Sequence, residues 1–239
     1  MCTLEKRGDI FYLTLTGADE HRLNPSLISS ISTALAEIKF QADKGSVLVT
    51  KAEGNFFSNG FDLKYAQAAG SPAAAMDRLQ HMVDLFKPIA ADLISLPMPT
   101  IAAVTGHAAA AGLMLAICHD YVMMRSDKGV MYMSELDIGL PLPEYFTAII
   151  RSKVGSHAAR RALVLKASKL RAAEALKLGL IDSAHADPEE TVKEAVRTAE
   201  SLAKRRWDGK IYAELRRALL PEACGVFGLP ITAALPSRL

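Results

Sequence analysis

The sequence contains few cysteines, few aromatic residues and almost no excess of charge of either sign. Its three cysteines, Cys2, Cys118 and Cys224, are far apart and odd in number, which argues against a disulfide framework and favours a reducing compartment. Lysine and arginine total 28 against 26 acidic residues, a formal net charge of +2. The chain therefore lacks the basic surface of a nucleic-acid-binding protein. The six histidines show no metal-ligand spacing, and we expect no metal site.

The sequence also predicts neither a membrane span nor a secretory signal. The most apolar window, residues 101–118, is interrupted by Gly106, His107 and Gly112. A buried strand, a turn and a buried helix explain this window better than a bilayer span does. The first residues, MCTLEKRGDIFY, have no long apolar stretch behind their charges, so we expect no secretory signal.

Apolar residues are abundant enough for a large core, since they make up half of the 239 residues. The order of predicted elements favours a mixed α/β core, residues 1–185, followed by a helical C-terminal region, residues 186–239. Alternation around Phe11 predicts a half-buried strand that pairs with residues near Cys2 through a turn at 7–9.

Local signals also predict where helices begin. Asn24-Pro25 and Asp187-Pro188 are typical helix starts, with a capping side chain followed by proline at the first helical position. A helix is predicted from about Met76 to Leu96, where Pro97 and Pro99 end it. Residues 66–75 are rich in Ala, Gly, Ser and Pro, and we expect this stretch to be mobile.

Three segments have the composition of a reaction site: FSNGFDL (57–63), TGHAAAAG (105–112) and SELDIGLP (134–141). The first two each follow an apolar strand and lead toward a helix. Small residues at such a junction let a substrate approach the backbone, and they leave N–H groups unpaired at the helix start. Two junctions that face each other can hold one thioester oxygen in an oxyanion hole.

These segments resemble the crotonase (enoyl-CoA hydratase/isomerase) superfamily. FFSNGFDLK is similar to its first oxyanion segment, TGHAAAAGLMLAICHD to its second, and SELDIGLPLP to the segment that bears the catalytic acid. All three occur in the family's order and spacing, and plant-type peroxisomal Δ3-Δ2-enoyl-CoA isomerases are the branch they resemble. The resemblance implies an α/β fold of the crotonase (ClpP/crotonase-like) type, a spiral of β-β-α units followed by a helical C-terminal region.

The resemblance also assigns roles to residues. It implies that Glu135 is catalytic and that the backbone N–H groups of Asn59 and Ala111 form the oxyanion hole. The family often has glycine where this chain has Ala110 and Ala111, which is tolerable because main-chain groups make the contact. The residues expected to bind substrate are Ser58, Asn59, Gly60, Phe61, Asp62, Leu63, Ala110, Gly112 and Met114.

The number of carboxylates separates the reactions open to such a site. Family hydratases carry two glutamates, and the second aligns with Met114, which can neither take a proton nor orient water. One carboxylate is enough to move a double bond, because it can take a proton from C2 of a 3-enoyl thioester and return it at C4. We therefore expect an isomerase that converts 3-cis- or 3-trans-enoyl-CoA to 2-trans-enoyl-CoA without a cofactor.

Alternatives remain open at this point. The nearest are hydration, dienoyl isomerisation or thioester hydrolysis on the same fold, and a non-catalytic acyl-CoA-binding or scaffold protein is the alternative from another class. Glu144 and Asp137 are alternative second acids, although Glu144 is typical of the first turn of a helix. The family's usual glycine pair beyond the acid is replaced by Leu142-Pro143-Glu144-Tyr145, which leaves the shape of the acyl pocket open.

Location and assembly are predicted from the chain end and the resemblance. Ser237-Arg238-Leu239 is similar to the small–basic–Leu tripeptide that the peroxisomal import receptor reads, so we expect a peroxisomal protein. The resemblance implies a homotrimer or a hexamer built as a dimer of trimers. Apolar faces around Leu215, Leu219 and Leu220 agree with contacts through the C-terminal helices. Neither nucleic acid nor a membrane is expected as a partner.

Overall fold

The computed structural model describes residues 1–17 and 20–231 of the chain. Within these residues, the strands are β1 (Cys2–Arg7), β2 (Ile10–Leu15), β3 (Val47–Ala52), β4 (Phe56–Ser58), β5 (Thr100–Val104), β6 (His107–Ala109), β7 (Tyr121–Arg125), β8 (Met131–Tyr132) and β9 (Ser183–His185). The helices are α1 (Pro25–Gln41), α2 (Leu63–Gln67), α3 (Pro72–Ser95), α4 (Ala111–Ile117), α5 (Glu135–Ile138), α6 (Glu144–Lys153), α7 (His157–Arg160, continued by a π-helical turn over Arg161–Leu165), α8 (Ala172–Lys177), α9 (Pro188–Ala203), α10 (Gly209–Leu219) and α11 (Pro221–Phe227).

The strands form two sheets. The larger has the order β1-β2-β3-β5-β7-β9; β1 and β2 are an antiparallel hairpin, and the later neighbours pair in parallel. The smaller sheet, β4-β6-β8, is parallel. Three successive units repeat one pattern, in which a strand of the larger sheet is followed by a strand of the smaller sheet and then by a helix. These units are β3-β4-α2, β5-β6-α4 and β7-β8-α5. The predicted spiral of β-β-α units is therefore confirmed, as is the helical region that follows it.

Apolar layers cover both faces of the larger sheet. Along β3, Val47 and Val49 pack with α9, whereas Leu48 belongs to the main core with α1 and α3. This division follows from strand geometry, because successive side chains point to opposite faces. Ala195 and Ala199 of α9 are fully buried, and their small side chains let the helix lie close to the sheet.

The predicted helix starts at Asn24 and Asp187 are confirmed. The side chain of Asn24 accepts a hydrogen bond from the amide of Leu27 at 3.0 Å, and that of Asp187 accepts from the amide of Glu190 at 2.9 Å. The predicted hairpin turn is also confirmed, since Arg7 lies opposite Ile10 across the turn.

The Ala-rich segment requires a correction. Residues 72–75, expected to be mobile, form the first turn of α3, one turn ahead of the helix start predicted at Met76. Ser71 caps this turn by accepting from the amide of Ala74 at 3.2 Å. Serine followed by proline is itself a helix-start signal, and alanine is the strongest helix former, so the local chemistry favours helix here.

A buried ion pair fixes the C-terminal helices to the core. Arg216 of α10 is 5% exposed and contacts Asp120 at 2.5 and 2.6 Å. Its guanidinium also donates to carbonyl groups at the end of α3, including that of Leu96 at 2.7 Å, where the helix leaves acceptors unpaired. The predicted boundary between 185 and 186 stays a prediction, and Ser237-Arg238-Leu239 lies outside the described residues. In the described ranges, no helix is both long and apolar enough to cross a bilayer.

Candidate functional site

A cavity of about 600 Å³ lies between α3 and the segment that follows α5. One wall is the face of α3 that carries Leu79, Val83 and Lys87, residues four apart that share one side of the helix. The opposite wall extends from Ser134 to Phe146. The two predicted oxyanion loops contribute Asn59, Phe61, Leu63 and Ala110, and Arg22 also lines the cavity.

The two loops lie side by side because β4 pairs with β6 in parallel, with Ser58 opposite Ala108. Their contact is close enough to require glycine at position 112, where a Cβ atom would lie 2.2 Å from the carbonyl oxygen of Ser58. A Cβ atom on Gly60 would lie 3.3 Å from the amide nitrogen of Ala111. The first loop is thus packed directly against the start of α4.

The second loop ends in a strained residue. Ala110 has φ 50° and ψ −123°, a conformation that residues with a Cβ atom rarely adopt. Its own amide donates to the carbonyl of Tyr132 at 2.9 Å. The next residue, Ala111, is the first of α4, so its amide has no acceptor inside the helix. The amide of the strained residue Ala110 is therefore occupied, whereas the amide of the next residue, Ala111, is the one that the sequence predicted as a donor.

The structure contradicts the prediction that the amide of Asn59 is the other donor. That amide donates to the carbonyl oxygen of Glu20 at 2.9 Å, and Nδ2 of Asn59 donates to Oε2 of Glu20 at 2.7 Å. Gly60 then turns the chain with φ 72°, a conformation that glycine adopts without strain. The candidate donor amide on the first loop therefore lies after the Gly60 turn and not before it.

Phe61 carries that amide. The carbonyl of Gly60 accepts from the amide of Leu23 at 2.8 Å, and the amide of Asp62 donates to the carbonyl of Leu23 at 3.3 Å. The backbone groups on either side of Phe61 therefore face Leu23, while the Phe61 amide donates to no acceptor in residues 1–17 and 20–231. Because Phe61 also lines the cavity, it replaces Asn59 as the candidate donor on the first loop.

Glu135, the predicted catalytic residue, is the first residue of α5 and lines the cavity together with Phe61 and Ala110. Its Oε2 atom is buried and has no hydrogen-bond partner in the described part of the chain. Burial raises the pKa of Glu135 above its ordinary 4.5, and hydrogen bonds from the backbone oppose this only in part. A dehydrated carboxylate that faces a cavity is suited to take a proton from carbon.

The remaining predicted substrate-binding residues divide into two groups. Asn59, Leu63 and Ala110 line the cavity, as Phe61 does. Ser58 lies behind the wall, where its hydroxyl donates to the carbonyl of His21 at 2.8 Å. The predicted residues that do not line the cavity are Ser58, Gly60, Asp62, Gly112 and Met114.

Comparison with known proteins identifies the family. The pattern of enoyl-CoA hydratase/isomerase proteins matches residues 5–219. The chain belongs to the enoyl-CoA hydratase/isomerase family. Peroxisomal enoyl-CoA delta isomerase 2 of Arabidopsis thaliana is 57% identical over 230 residues, 96% of either chain. Enoyl-CoA delta isomerase 3 of the same plant is 56% identical with the same coverage.

A solved structure supports the same fold at lower identity. The apo form of an enoyl-CoA isomerase from Mycobacterium tuberculosis superimposes with a TM-score of 0.81 at 24% identity, over 95% of this chain and 94% of that one. At this identity the likeness shows the fold alone.

Sequence reasoning missed most of the cavity wall of this enoyl-CoA hydratase/isomerase family member. The ring of Phe61 packs edge-on against Phe86 at 5.8 Å and stacks on Phe146 at 6.2 Å. The hydroxyl of Tyr145 donates to the carbonyl of Val83 at 2.8 Å and thereby joins α6 to α3. The spacing of Leu79 and Val83 was the available signal, but it shows only a shared helix face and not what that face covers.

Replacement of Ala110 by glycine tests the strain at the second loop. We expect Ala110→Gly to raise the free energy of unfolding by about 1 kcal/mol, because relief of an unfavourable backbone conformation exceeds the entropic penalty of glycine. Urea unfolding measures the change. Ala109→Gly is the matched control; it lies in β6 without positive φ and should lose about 0.5–1 kcal/mol. Equal destabilisation by both changes would contradict the strain at Ala110.

The raised pKa of Glu135 predicts a pH-dependent stability. A carboxyl group whose folded-state pKa is raised stabilises the fold at pH values below its unfolded pKa, and this contribution is lost as pH rises through the folded pKa. We expect Glu135→Gln to be more stable than the native chain at pH 7 and about equally stable at pH 4. Urea unfolding at both pH values checks this, with the exposed Asp137→Asn as control. A variant less stable at pH 7 would show that burial does not penalise the charge.

Proposed function

We propose that this chain is a Δ3-Δ2-enoyl-CoA isomerase that converts 3-cis- and 3-trans-enoyl-CoA into 2-trans-enoyl-CoA in the β-oxidation of unsaturated fatty acids. The observation that carries the proposal is the buried, unpaired Oε2 of Glu135, which belongs to a residue that lines the cavity beside Phe61 and Ala110. Three Arabidopsis relatives of 50–57% identity, all named enoyl-CoA delta isomerases, support the same activity.

The proposed reaction moves one proton in two steps. The thioester oxygen lies between the amides of Phe61 and Ala111, and the Glu135 carboxylate takes a proton from C2. The electron pair of the broken C–H bond delocalises over C2–C4 and the thioester oxygen, where the two amides stabilise the negative charge. The protonated Glu135 then returns the proton at C4, which leaves the double bond between C2 and C3. The chemistry calls for no metal or cofactor, and that expectation stays a prediction.

The wall around Glu135 favours isomerisation over hydration. Hydration needs a second polar group that orients and activates water, and the aligned position is Met114, which is fully buried in α4. Burial of the Oε2 atom keeps the Glu135 carboxylate poorly solvated, and its raised pKa makes it a stronger base near neutral pH. Hydratase activity on the same fold remains the alternative function.

Glu135→Gln tests the proton shuttle. We expect kcat for a 3-enoyl-CoA to fall by about 10³-fold, the usual range for loss of a general base. Asp137→Asn, an exposed carboxylate on the same helix, is the control and should stay within about twofold. In the native chain, kcat/KM should rise with pH through a midpoint above 4.5, since the carboxylate must be ionised to accept the proton.

The same assay distinguishes the alternatives. Faster hydration of a 2-enoyl-CoA than isomerisation of a 3-enoyl-CoA would make the chain a hydratase. A non-catalytic acyl-CoA-binding protein would bind the thioester and show neither reaction, so Glu135→Gln would have no activity to remove.

We also propose assembly as a homotrimer or a hexamer, supported by an apolar stripe on α10. Ile211, Leu215 and Leu219 lie four residues apart and are 48%, 63% and 79% exposed, more apolar surface than a monomer usually presents on one helix. Leu220, predicted to share this face, is instead buried in the core, because α10 ends at Leu219 and the chain turns there. Light scattering should give three or six times the chain mass, reduced to a monomer by Leu215→Glu with Leu219→Glu. A native monomer would contradict the proposal.

We propose that the acyl-CoA substrate is met in the peroxisome and that the import receptor reads Ser237-Arg238-Leu239. Two of the Arabidopsis relatives are named peroxisomal. A fluorescent protein fused to the N-terminus should enter peroxisomes with the full chain and remain outside when the last three residues are deleted. Import of the truncated chain would contradict the role of the tripeptide.

A further inference from the structure

Residues 20–23, here named the clamp segment, hold the first loop through a dense set of hydrogen bonds. The clamp segment precedes α1, and the loop between β4 and α2 runs beside it. Backbone and side-chain groups both take part, so the loop is fixed in position along its length. The bonds are Asn59 amide to Glu20 carbonyl (2.9 Å), Asn59 Nδ2 to Glu20 Oε2 (2.7 Å), His21 Nδ1 with the Phe56 carbonyl (2.9 Å), Ser58 Oγ to the His21 carbonyl (2.8 Å) and Leu23 amide to the Gly60 carbonyl (2.8 Å).

The clamp segment is itself strained. Glu20 and His21 have φ values of 42° and 47°, two successive residues in the left-handed region without a glycine. Residues persist in this region when the surrounding contacts compensate for the strain, and such residues are concentrated at functional sites. His21 is 5% exposed and its carbonyl and Nδ1 both contact the first loop, so the loop supplies part of that compensation.

Glu20 lies at the centre of these contacts. Its carbonyl oxygen accepts from the backbone N–H of Asn59, and its carboxylate accepts from the side-chain Nδ2 of Asn59. The carboxylate also pairs with Arg22 at 2.6 Å. The bond from Asn59, with a smaller contribution from Arg22, lowers the pKa of Glu20, so the group is ionised at neutral pH. Asn59 and Arg22 line the cavity, whereas Glu20 does not.

Only Gly60 separates Asn59 from Phe61, the candidate oxyanion donor. Glycine has the widest conformational freedom of any residue, so a rotation at Gly60 would displace the Phe61 amide unless Asn59 is held. Donors of an oxyanion hole are effective when they are preorganised before charge develops. The clamp at Asn59 supplies this restraint on one side of Gly60, and the bonds to Leu23 supply it on the other.

We propose that Glu20 is a positioning residue for the isomerase reaction, and that it fixes the Phe61 amide at the thioester oxygen by accepting from the backbone N–H and from the side-chain Nδ2 of Asn59. This inference rests on the proposed function and deepens it. Glu20 does not contact the reacting atoms; it acts through Asn59.

The test compares kcat and KM for Glu20→Ala, Asn59→Ala and the double variant. Removal of one oxyanion-hole donor usually lowers kcat by about 10²–10³-fold, and a donor that is only displaced should lower it less. We therefore expect kcat to fall about 10-fold in each of the three variants. In Glu20→Ala, which leaves the cavity wall intact, KM should stay within about twofold, because the interaction strengthens with the developing charge. The double variant should lose no more than either single variant, since both remove the same contact.

Two controls separate positioning from general stability. Glu5→Ala is the matched control, because Glu5 forms an ion pair with Arg7 at 2.7 Å on the exposed strand β1. The two residues of this pair are two positions apart in the sequence, as Glu20 and Arg22 are. Glu5→Ala should leave kcat within about twofold. Glu20→Gln keeps an oxygen that accepts from Asn59 Nδ2 and should recover most of the lost kcat.

Amide hydrogen exchange over residues 56–62 gives a readout that does not depend on activity. Exchange should be faster in Glu20→Ala than in the native chain and unchanged in Glu5→Ala. Unchanged exchange, unchanged kcat in Asn59→Ala, or additive losses in the double variant would each overturn the proposal. If Glu20→Ala fails to fold, Asn59→Ala should still lose kcat about 10-fold while Glu20→Gln retains most of it. A native chain without isomerase activity would refute the proposed function, and exchange alone would then decide the role of Glu20.

Discussion

The close contact between the first loop and the start of α4 is the constraint on which the rest of the site depends. Parallel pairing of β4 with β6 brings the two loops to one edge of the smaller sheet, and the absence of a side chain at Gly112 lets α4 approach the Ser58 carbonyl. This contact places Gly60, the residue before Phe61, beside the amide of Ala111. The larger sheet and its helices serve to hold this arrangement in place.

Several energetically unfavourable features meet at this point. Ala110, Glu20 and His21 occupy backbone conformations that residues with a Cβ atom rarely adopt, and Glu135 keeps a buried oxygen that has no partner among the residues that the structure describes. Such features persist when a well-packed structure compensates for them, and they are typical of sites where reactivity opposes stability. Here the compensation comes from the core, and from buried contacts such as that between Arg216 and Asp120, which hold the outer helices against it.

Signals that act over a few residues were the predictable part of the structure. The caps at Asn24 and Asp187 bond to amides three residues away, so composition alone indicates them. The order of the β-β-α units and the place of Glu135 in the cavity followed from motifs in the resemblance. Ser71-Pro72 was a local helix-start signal of the same kind, but the composition of the preceding segment concealed this signal.

The unpredicted part depends on partners that are distant in the sequence. Whether the amide of Asn59 is free is decided by Glu20, 39 residues earlier, and no property of the loop itself reveals that contact. The cavity wall on α3 likewise depends on the packing of α6, through Tyr145 and Val83. Leu220 was assigned to the wrong face because the end of α10, and hence the direction of its side chain, is set by the following turn.

The central claim is that one carboxylate, that of Glu135, both removes and returns the proton. Its most direct test is the isomerisation of a 3-enoyl-CoA labelled with deuterium at C2, carried out in ordinary water, with the position of deuterium in the product determined by mass spectrometry or NMR. The account predicts that a measurable share of the label reappears at C4, since burial of the Glu135 Oε2 atom slows exchange of the deuteron with solvent before it returns. Complete loss of the transferred label to solvent would contradict it.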